Sequence, residues 1–221
     1  MILNISNILS SQSIDTILGS LSEAGPSIWK DGTTSAYGAA EKVKKNLQCD
    51  PDHSAVHGIL EKAHSSLLKN SAFVSATQPD KFSRMMINAY QVGMSYGDHL
   101  DATYIRDLRT DVSFTIFLTP PTSYEGGELV VTTPFCEMAV KGEQGSVFLY
   151  PSTYLHRVEQ VTSGNRIAIV GWLRSRILHP HHRELLFNLD QTISDLGEDN
   201  SHHENYMRLH SIKNRLLREW S

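Results

Sequence analysis

The chain has 221 residues, of which 40% are hydrophobic, and a formal net charge of −4. That length buries one sizeable core, so one large domain or one domain with an appendage is expected rather than a string of small modules. The negative balance excludes a protein that grips nucleic acid by broad phosphate neutralisation, and the two cysteines, Cys49 and Cys136, are far apart and in no CxxC, which excludes a disulfide framework and a thiolate zinc site.

The opening stretch MILNISNILSSQSIDTIL has no basic leader, and no run of about 18 apolar residues occurs, so no signal peptide, membrane span or membrane partner is expected. With unpaired thiols, the setting reads as cytoplasmic. Ile14, Ile17, Leu18 and Leu21 recur at helical spacing over residues 12–22. A second amphipathic helix is expected over 53–69, where Val56, Ile59, Leu60, Ala63 and Leu67 share a face. Between the two, Asp31-Gly32 marks a hairpin or tight loop.

From about residue 84 the period changes. Val112, Phe114, Ile116 and Leu118 alternate with polar or small residues, and GGELVVTT, GSVFLYPS, HRVEQVT and RIAIVGWLRS follow at short intervals. Short strands with no helices between them predict an antiparallel sandwich or barrel, and a jelly roll is the version that closes around a ligand mouth. After Pro180 the helical period returns, with one stripe of Leu185, Leu189, Ile193 and Leu196 and another of Tyr206, Leu209, Ile212 and Leu216, divided by GEDNS. This pair is too short to fold alone and is expected to pack on the β core or on a second subunit, which leaves a homodimer open.

The stretch GMSYGDHLDATYIRDLRTD, residues 93–111, carries the first chemistry. In an extended strand the side chains at i and i+2 share a face, so His99 and Asp101 present an imidazole and a carboxylate side by side. Alone, an HxD arises by chance in a chain with 11 histidines. A third ligand is expected from a distant strand, and His156 in VFLYPSTYLHRVEQV is the best candidate. Two histidines and one carboxylate with open positions match the facial triad of non-haem Fe(II) oxygenases.

Ten residues on lies Arg166, about 33 Å away in a fully extended chain, so a turn at TSGN, residues 162–165, is expected to fold its strand back beside that of His156. A buried arginine needs an anion, and its planar fork suits a carboxylate. A metal at one end of a cavity and a carboxylate site at the other fit a 2-keto dicarboxylic acid, which makes 2-oxoglutarate the expected co-substrate. Tyr90, at the end of the preceding strand, is placed to hydrogen-bond it.

The runs AYQVGMSYGDHLD, LRTDVSFTIFLTPPTSYEGGELVV and GSVFLYPSTYLHRVEQVTSGNRIAIVGW resemble the Fe(II)- and 2-oxoglutarate-dependent dioxygenases of the prolyl/lysyl hydroxylase type, and most closely the bacterial PKHD-type hydroxylases. KVKKNLQ at 42–48 and RELLFNLDQTI at 183–193 look like that group's N-terminal region and C-terminal extension. The resemblance implies a double-stranded β-helix core, Fe(II) held by His99, Asp101 and His156, and Arg166 on the distal carboxylate of 2-oxoglutarate. It also implies molecular oxygen as a reactant, a peptidyl, amino-acid or small-molecule substrate, and L-ascorbate as a reductant. The expected organisation is a dioxygenase unit over 1–177, helical over 1–75 with a jelly-roll core over about 76–177, and a helical extension over 178–221. One departure is that Phe114 and Phe117 stand where animal prolyl hydroxylases use a tyrosine to hold the co-substrate, which turns attention to Thr115.

Two other classes compete: a non-catalytic module that senses iron and 2-oxoglutarate, and a cupin-like isomerase or hydrolase using another metal. Arg166 argues against the second, which needs no buried cation there. HPHH at 179–182 and HH at 202–203 read as solvated helix ends, Gly126 and Gly127 as a turn, and Glu128 as a surface residue. Arg106, Arg109 and Asp111 read as loop residues that pair locally, with Tyr104 beside them, and Trp172 reads as core.

Overall fold

The structure is a computed structural model that describes residues 1–36, 38–197 and 203–221. A short strand β1 (Leu3–Ile5) leads into α1 (Ser11–Glu23), followed by β2 (Trp29–Asp31), the single-turn α2 (Ala39–Lys42), β3 (Lys44–Lys45), β4 (Leu47–Cys49), α3 (Ser54–Lys69) and α4 (Ser71–Thr77). The middle of the chain is strand throughout: β5 (Pro79–Gln91), β6 (Ser95–His99), β7 (Tyr104–Ile105), β8 (Leu108–Arg109), β9 (Val112–Phe117), β10 (Tyr124–Glu125), β11 (Leu129–Thr132), β12 (Glu137–Val140), β13 (Val147–Pro151), β14 (His156–Val158) and β15 (Ser163–Ser175). Helices α5 (Pro180–Leu196) and α6 (Glu204–Trp220) follow.

Local chemistry sets the helix ends. The Ser10 hydroxyl caps α1 by accepting from the Ser13 N–H at 3.2 Å, and His53 Nδ1 accepts from the Ala55 N–H at 3.2 Å at the start of α3. Asn70 leaves α3 in an extended conformation and caps α4, accepting from the Phe73 N–H at 2.9 Å. The expected apolar rows are the buried ones, with Ile14, Ile17 and Leu21 on α1 and Val56, Ile59, Ala63 and Leu67 on α3. Asp31-Gly32 forms a tight 3₁₀ turn, in which the Asp31 carboxylate accepts from the Thr33 N–H and hydroxyl at 2.9 and 2.8 Å.

The strands build two antiparallel sheets. The larger runs β1-β13-β9-β15-β5-β4-β2, with β10 paired to β15, and the smaller runs β12-β11-β14-β6-β3. On one face of the larger sheet Ile87, Phe114, Ile116, Ile169 and Leu173 pack under α1, α3 and α4. Each fully buried side chain of this size contributes about 1.5–3 kcal/mol. The alternate residues, among them Asn88, Tyr90, Thr115, Arg166 and Trp172, face a cavity whose far wall carries His99 and His156 of the smaller sheet. This is the expected fold class, a mainly β jelly roll with helices flanking it on both sides in sequence.

The turn expected at 162–165 does not place β15 beside β14. β14 lies between β11 and β6 in the smaller sheet, and β15 lies between β9 and β5 in the larger one. Residues 159–162 cross from one sheet to the other, and their backbone is satisfied on the way. The N–H groups of Glu159, Val161 and Thr162 donate to the carbonyls of Glu128, Met94 and Glu125 at 2.9, 3.0 and 2.9 Å. His156 and Arg166 therefore meet across the cavity rather than along a hairpin.

The register of α5 also differs from the expected stripe. Arg183, Leu186 and Ile193 are buried, whereas Leu185 is 53% exposed. Arg183 fixes this rotation, because its guanidinium donates through Nη1 to the carbonyls of Ile177 and Leu178 at 2.8 and 3.1 Å. Ser75 on α4 donates to Asp190 at 2.5 Å, and α6 packs on α5 with Trp220 stacked on His182, ring centroids 3.9 Å apart, and an Asp190–Lys213 ion pair. The helical pair thus continues the α4 layer. The HPHH run sits at the start of α5 as expected, while residues 198–202, including most of GEDNS and His202, lie outside the described residues.

Candidate active site

Strand β6 ends on His99, Asp101 follows two residues later, and β14 begins on His156, whose Cα is directly opposite that of His99 in the antiparallel register. The pairing brings one ligand atom from each of the three side chains within 4.8 Å of the others, the only such cluster among the described residues. His156 Nε2 lies 3.7 Å from Asp101 Oδ2, and both side chains are almost fully buried. Each imidazole is oriented by its own backbone neighbourhood. His99 Nδ1 lies 2.8 Å from the Gly97 carbonyl and His156 Nδ1 lies 2.9 Å from the Tyr154 carbonyl. A carbonyl only accepts, so Nδ1 carries the proton and each Nε2 lone pair is left for a metal. Burial, and then the neighbouring His156, push the His99 pKa down to about 3, which keeps its ring neutral.

The carboxylate is held in the same way. Ser113 on β9 donates to Asp101 Oδ2 at 2.6 Å, and its own oxygen lies 2.8 Å from the Ser152 hydroxyl. This chain of hydrogen bonds reaches from the larger sheet to the His-Asp-His cluster and fixes the carboxylate's rotation. Ser113→Ala is expected to lower divalent-metal affinity about 10–100-fold, the usual effect of losing an outer hydrogen bond to a ligand. Anaerobic Fe(II) titration measures it, and an unchanged affinity would show that Asp101 is positioned without the serine.

Arg166 sits across the same cavity, which encloses about 530 Å³. It is 1% exposed, yet its Nε and Nη1 have no hydrogen-bond partner among the described residues. Its guanidinium lies 5.3 Å from the Tyr90 ring centroid and 5.7 Å from that of Phe117. Gly127, in the left-handed region at φ +67°, makes room for it: a Cβ there would stand 3.1 Å from Arg166 Cδ and 2.9 Å from Val161 Cγ2. Tyr90 is directly opposite Arg166 in the β5–β15 register and is buried, and burial pushes its hydroxyl pKa up to about 12, so it remains a proton donor.

The structure brings all five expected site residues to one cavity and adds others that the sequence does not single out. Tyr96 stacks on His99 with centroids 3.5 Å apart, and Tyr150 meets the His156 ring edge-on at 5.0 Å. Lys44, Asn88 and Thr115 line the walls, and Thr115 is buried. The legible signal was polarity at alternate positions of apolar strands, as at Ser113 and Thr115 on β9. Trp172, expected in the core, faces the cavity instead, because it shares the inner face of β15 with Arg166 and Val170. Arg109 and Asp111 form the expected local pair, with bonds of 2.7 and 3.0 Å, whereas Tyr104 and Arg106 of the β7–β8 hairpin line the cavity. Gly126 and Gly127 form the expected turn, and Glu128 pairs with Lys141 at 3.8 Å.

A jelly roll with this His-Asp-His cluster and a buried arginine in one cavity defines the class of 2-oxoglutarate and Fe(II) oxygenases, and a profile of the 2OG-Fe(II) oxygenase superfamily matches residues 85–174. A profile of the PKHD-type hydroxylase C-terminal domain matches residues 181–221. A PKHD-type hydroxylase of Idiomarina loihiensis is 39% identical over 223 residues, covering 100% of this chain and 99% of that protein. One of Parvibaculum lavamentivorans is 41% identical, covering 87% of each. Among solved structures, a Pseudomonas putida prolyl-4-hydroxylase aligns with a TM-score of 0.57 at 18% identity, covering 79% of this chain and 92% of that one. A prolyl hydroxylase from Trichoplax adhaerens, in complex with a hypoxia inducible factor peptide fragment, aligns with a TM-score of 0.58 at 18% identity, covering 78% and 82%. The chain belongs to the PKHD-type hydroxylases. It is a 2-oxoglutarate-dependent dioxygenase that hydroxylates a substrate.

Proposed function

We propose that His99 and His156, through Nε2, and Asp101, through its carboxylate, hold Fe(II), and that Arg166 and Tyr90 hold the distal carboxylate of 2-oxoglutarate. The observation that carries this reading is the pairing of a three-ligand cluster with a buried guanidinium whose Nε and Nη1 lack partners, in one cavity. Buried polar atoms of this kind are normally satisfied, so their state supports an anion as part of the working enzyme. The donor set suits Fe(II), with two neutral imidazoles, one carboxylate and no thiolate. When bound, Fe(II) with 2-oxoglutarate supplies the redox chemistry that joins one atom of oxygen to an unactivated C–H bond and releases succinate and carbon dioxide.

The protein's part is placement. Arg166 fixes one end of the co-substrate, Tyr90 donates a hydrogen bond beside it, and Phe117, Leu129 and Val158 keep water from that end. The backbone carbonyls of Gly97 and Tyr154 hold the imidazoles in one tautomer, and Ser113 holds the carboxylate. L-Ascorbate is the reductant that would return oxidised iron to use. The family-profile spans support a dioxygenase unit over 1–177, with its jelly-roll core over about 76–177, and an extension over 178–221. Two free thiols favour a cytoplasmic setting, and the exposed Met207 and Ile212 on α6 favour a homodimer. No helix among the described residues is long and apolar enough to cross a membrane.

The test is spectroscopic. Protein loaded with Fe(II) without oxygen is expected to gain a weak visible charge-transfer band when 2-oxoglutarate is added. Absence of the band in the wild type would overturn the assignment. Mass spectrometry of cell extract treated with active protein, seeking a product heavier by one oxygen atom, then finds the substrate.

A further inference from the structure

The cavity carries more positive charge than the proposed chemistry uses. Among the described residues lining it, Asp101 is the one carboxylate, against Lys44, Arg84, Arg106 and Arg166. On the reading above, Asp101 and the keto-acid end of 2-oxoglutarate offset Fe(II), and Arg166 meets the distal carboxylate. Lys44 and Arg106 remain, near Arg84, on a wall with no acidic side chain besides Asp101 among the described residues.

Lys44 is the most telling of the three. It is 6% exposed, its Nζ donates to Ser35 Oγ at 2.7 Å, and it forms no ion pair with any described residue. Other well-placed lysines here do find carboxylates, as Lys141 does with Glu128 and Lys213 with Asp190. Its ammonium instead lies 5.0 Å from the centroid of the Tyr96 ring, which stacks on His99 at 3.5 Å. The register explains the placement, since Lys44 on β3 is directly opposite Tyr96 on β6. A buried cation is thus held one aromatic ring away from the proposed metal cluster, with Arg84 close enough to repel it and Asp31, which does not line the cavity, close enough to attract it weakly.

The wall also carries apolar and aromatic side chains, among them Leu100, Tyr104, Ile105 and Trp172, beside the polar Ser35, Asn88 and Thr115. The β7–β8 hairpin turns at Arg106 and Asp107, both in the left-handed region at φ +49° and +61° without a glycine, and this turn places Arg106 on the cavity.

We infer that the substrate to be hydroxylated is an acid, whose carboxylate is received by Lys44 within the field of Arg84 and Arg106 and whose apolar body lies against Tyr104 and Trp172. This rests on the dioxygenase reading of the same cavity. The carboxylate has two sources, a free small acid or the C-terminus of a peptide, and the probes separate them.

Anaerobic Fe(II) protein saturated with 2-oxoglutarate is titrated calorimetrically with 3-phenylpropionate, hexanoate and N-acetylphenylalanine, each against its carboxamide. The last acid stands for a peptide terminus. At least one acid is expected to bind tenfold or more tightly than its amide, and Lys44→Met and Lys44→Gln are each expected to bring the two to parity. Lys44→Glu is expected to shift preference towards 3-phenylpropylamine, an effect that loss of packing cannot produce. Thermal unfolding identifies the variants that fold, and any one of the three carries the comparison.

No acid preferred over its amide by the wild type, or a preference that survives loss of the lysine, overturns the inference. So does a tenfold rise in the 2-oxoglutarate half-saturation of Lys44→Gln, which would assign the lysine to the co-substrate. Failure of the wild type to bind 2-oxoglutarate at all would instead overturn the dioxygenase assignment of the site, and the titration with 2-oxoglutarate reads that separately.

Discussion

Asp101→Ala is expected to abolish succinate formation from 2-oxoglutarate while leaving the protein folded. Asp101 supplies the only carboxylate on the cavity wall among the described residues, and its Oδ2 lies 3.7 Å from His156 Nε2. Without it a dication would rest on two neutral imidazoles, and the loss should exceed the 10–100-fold typical of an outer hydrogen bond. Anaerobic Fe(II) titration is therefore expected to show affinity at least about 100-fold weaker, beyond that range. The fold survives because the side chain faces the cavity rather than the apolar core, and Ser113 keeps its bond to Ser152 at 2.8 Å. Thermal unfolding of the metal-free proteins checks that point. Wild-type turnover by the variant would show that the cluster is not where the metal sits.

The sequence makes some of this arrangement legible because the relevant physics is local. Period-2 alternation puts His99 and Asp101 on one side of an extended chain whatever surrounds them, and helical spacing on α1 and α3 finds the face that the larger sheet covers. The meeting of His156 with Arg166 is not local. Alternation alone allows both to face inward, but it does not say that residues 159–162 change sheets, so the expected hairpin was the wrong route to a shared cavity. Trp172 was misplaced for a related reason. On a strand buried on both faces, apolar residues on the cavity side look the same as those on the helix side, and only Arg166 six residues earlier marks which is which. Of the expected stripe on α5 only Ile193 is buried, because the register is set by a polar residue, Arg183, bonded to carbonyls that precede the helix. Lys44 was invisible as a site residue, since the ring its ammonium lies against, Tyr96, is on a strand about fifty residues away.

Arg166→Ala is expected to raise the half-saturating concentration of 2-oxoglutarate by at least an order of magnitude with Fe(II) affinity unchanged. A charge-assisted, two-pronged contact is worth about 1.5–3 kcal/mol, which corresponds to roughly 10–150-fold. Stability measurements separate this role from a structural one. A guanidinium 1% exposed with two nitrogens unpartnered is a cost to the ligand-free fold, so Arg166→Met, which keeps most of the aliphatic volume beside Gly127 and Phe117, is expected to unfold at or above the wild-type temperature. The order then reverses with ligand. At 2-oxoglutarate one hundred times its dissociation constant the wild type gains about 2.7 kcal/mol, whereas a variant binding tenfold more weakly gains about 1.4 kcal/mol at the same concentration. A structural arginine predicts the opposite pair of results, with a large loss of stability in the ligand-free variant and an undiminished gain on adding 2-oxoglutarate. Anaerobic thermal unfolding of both proteins, with and without the co-substrate, distinguishes the two.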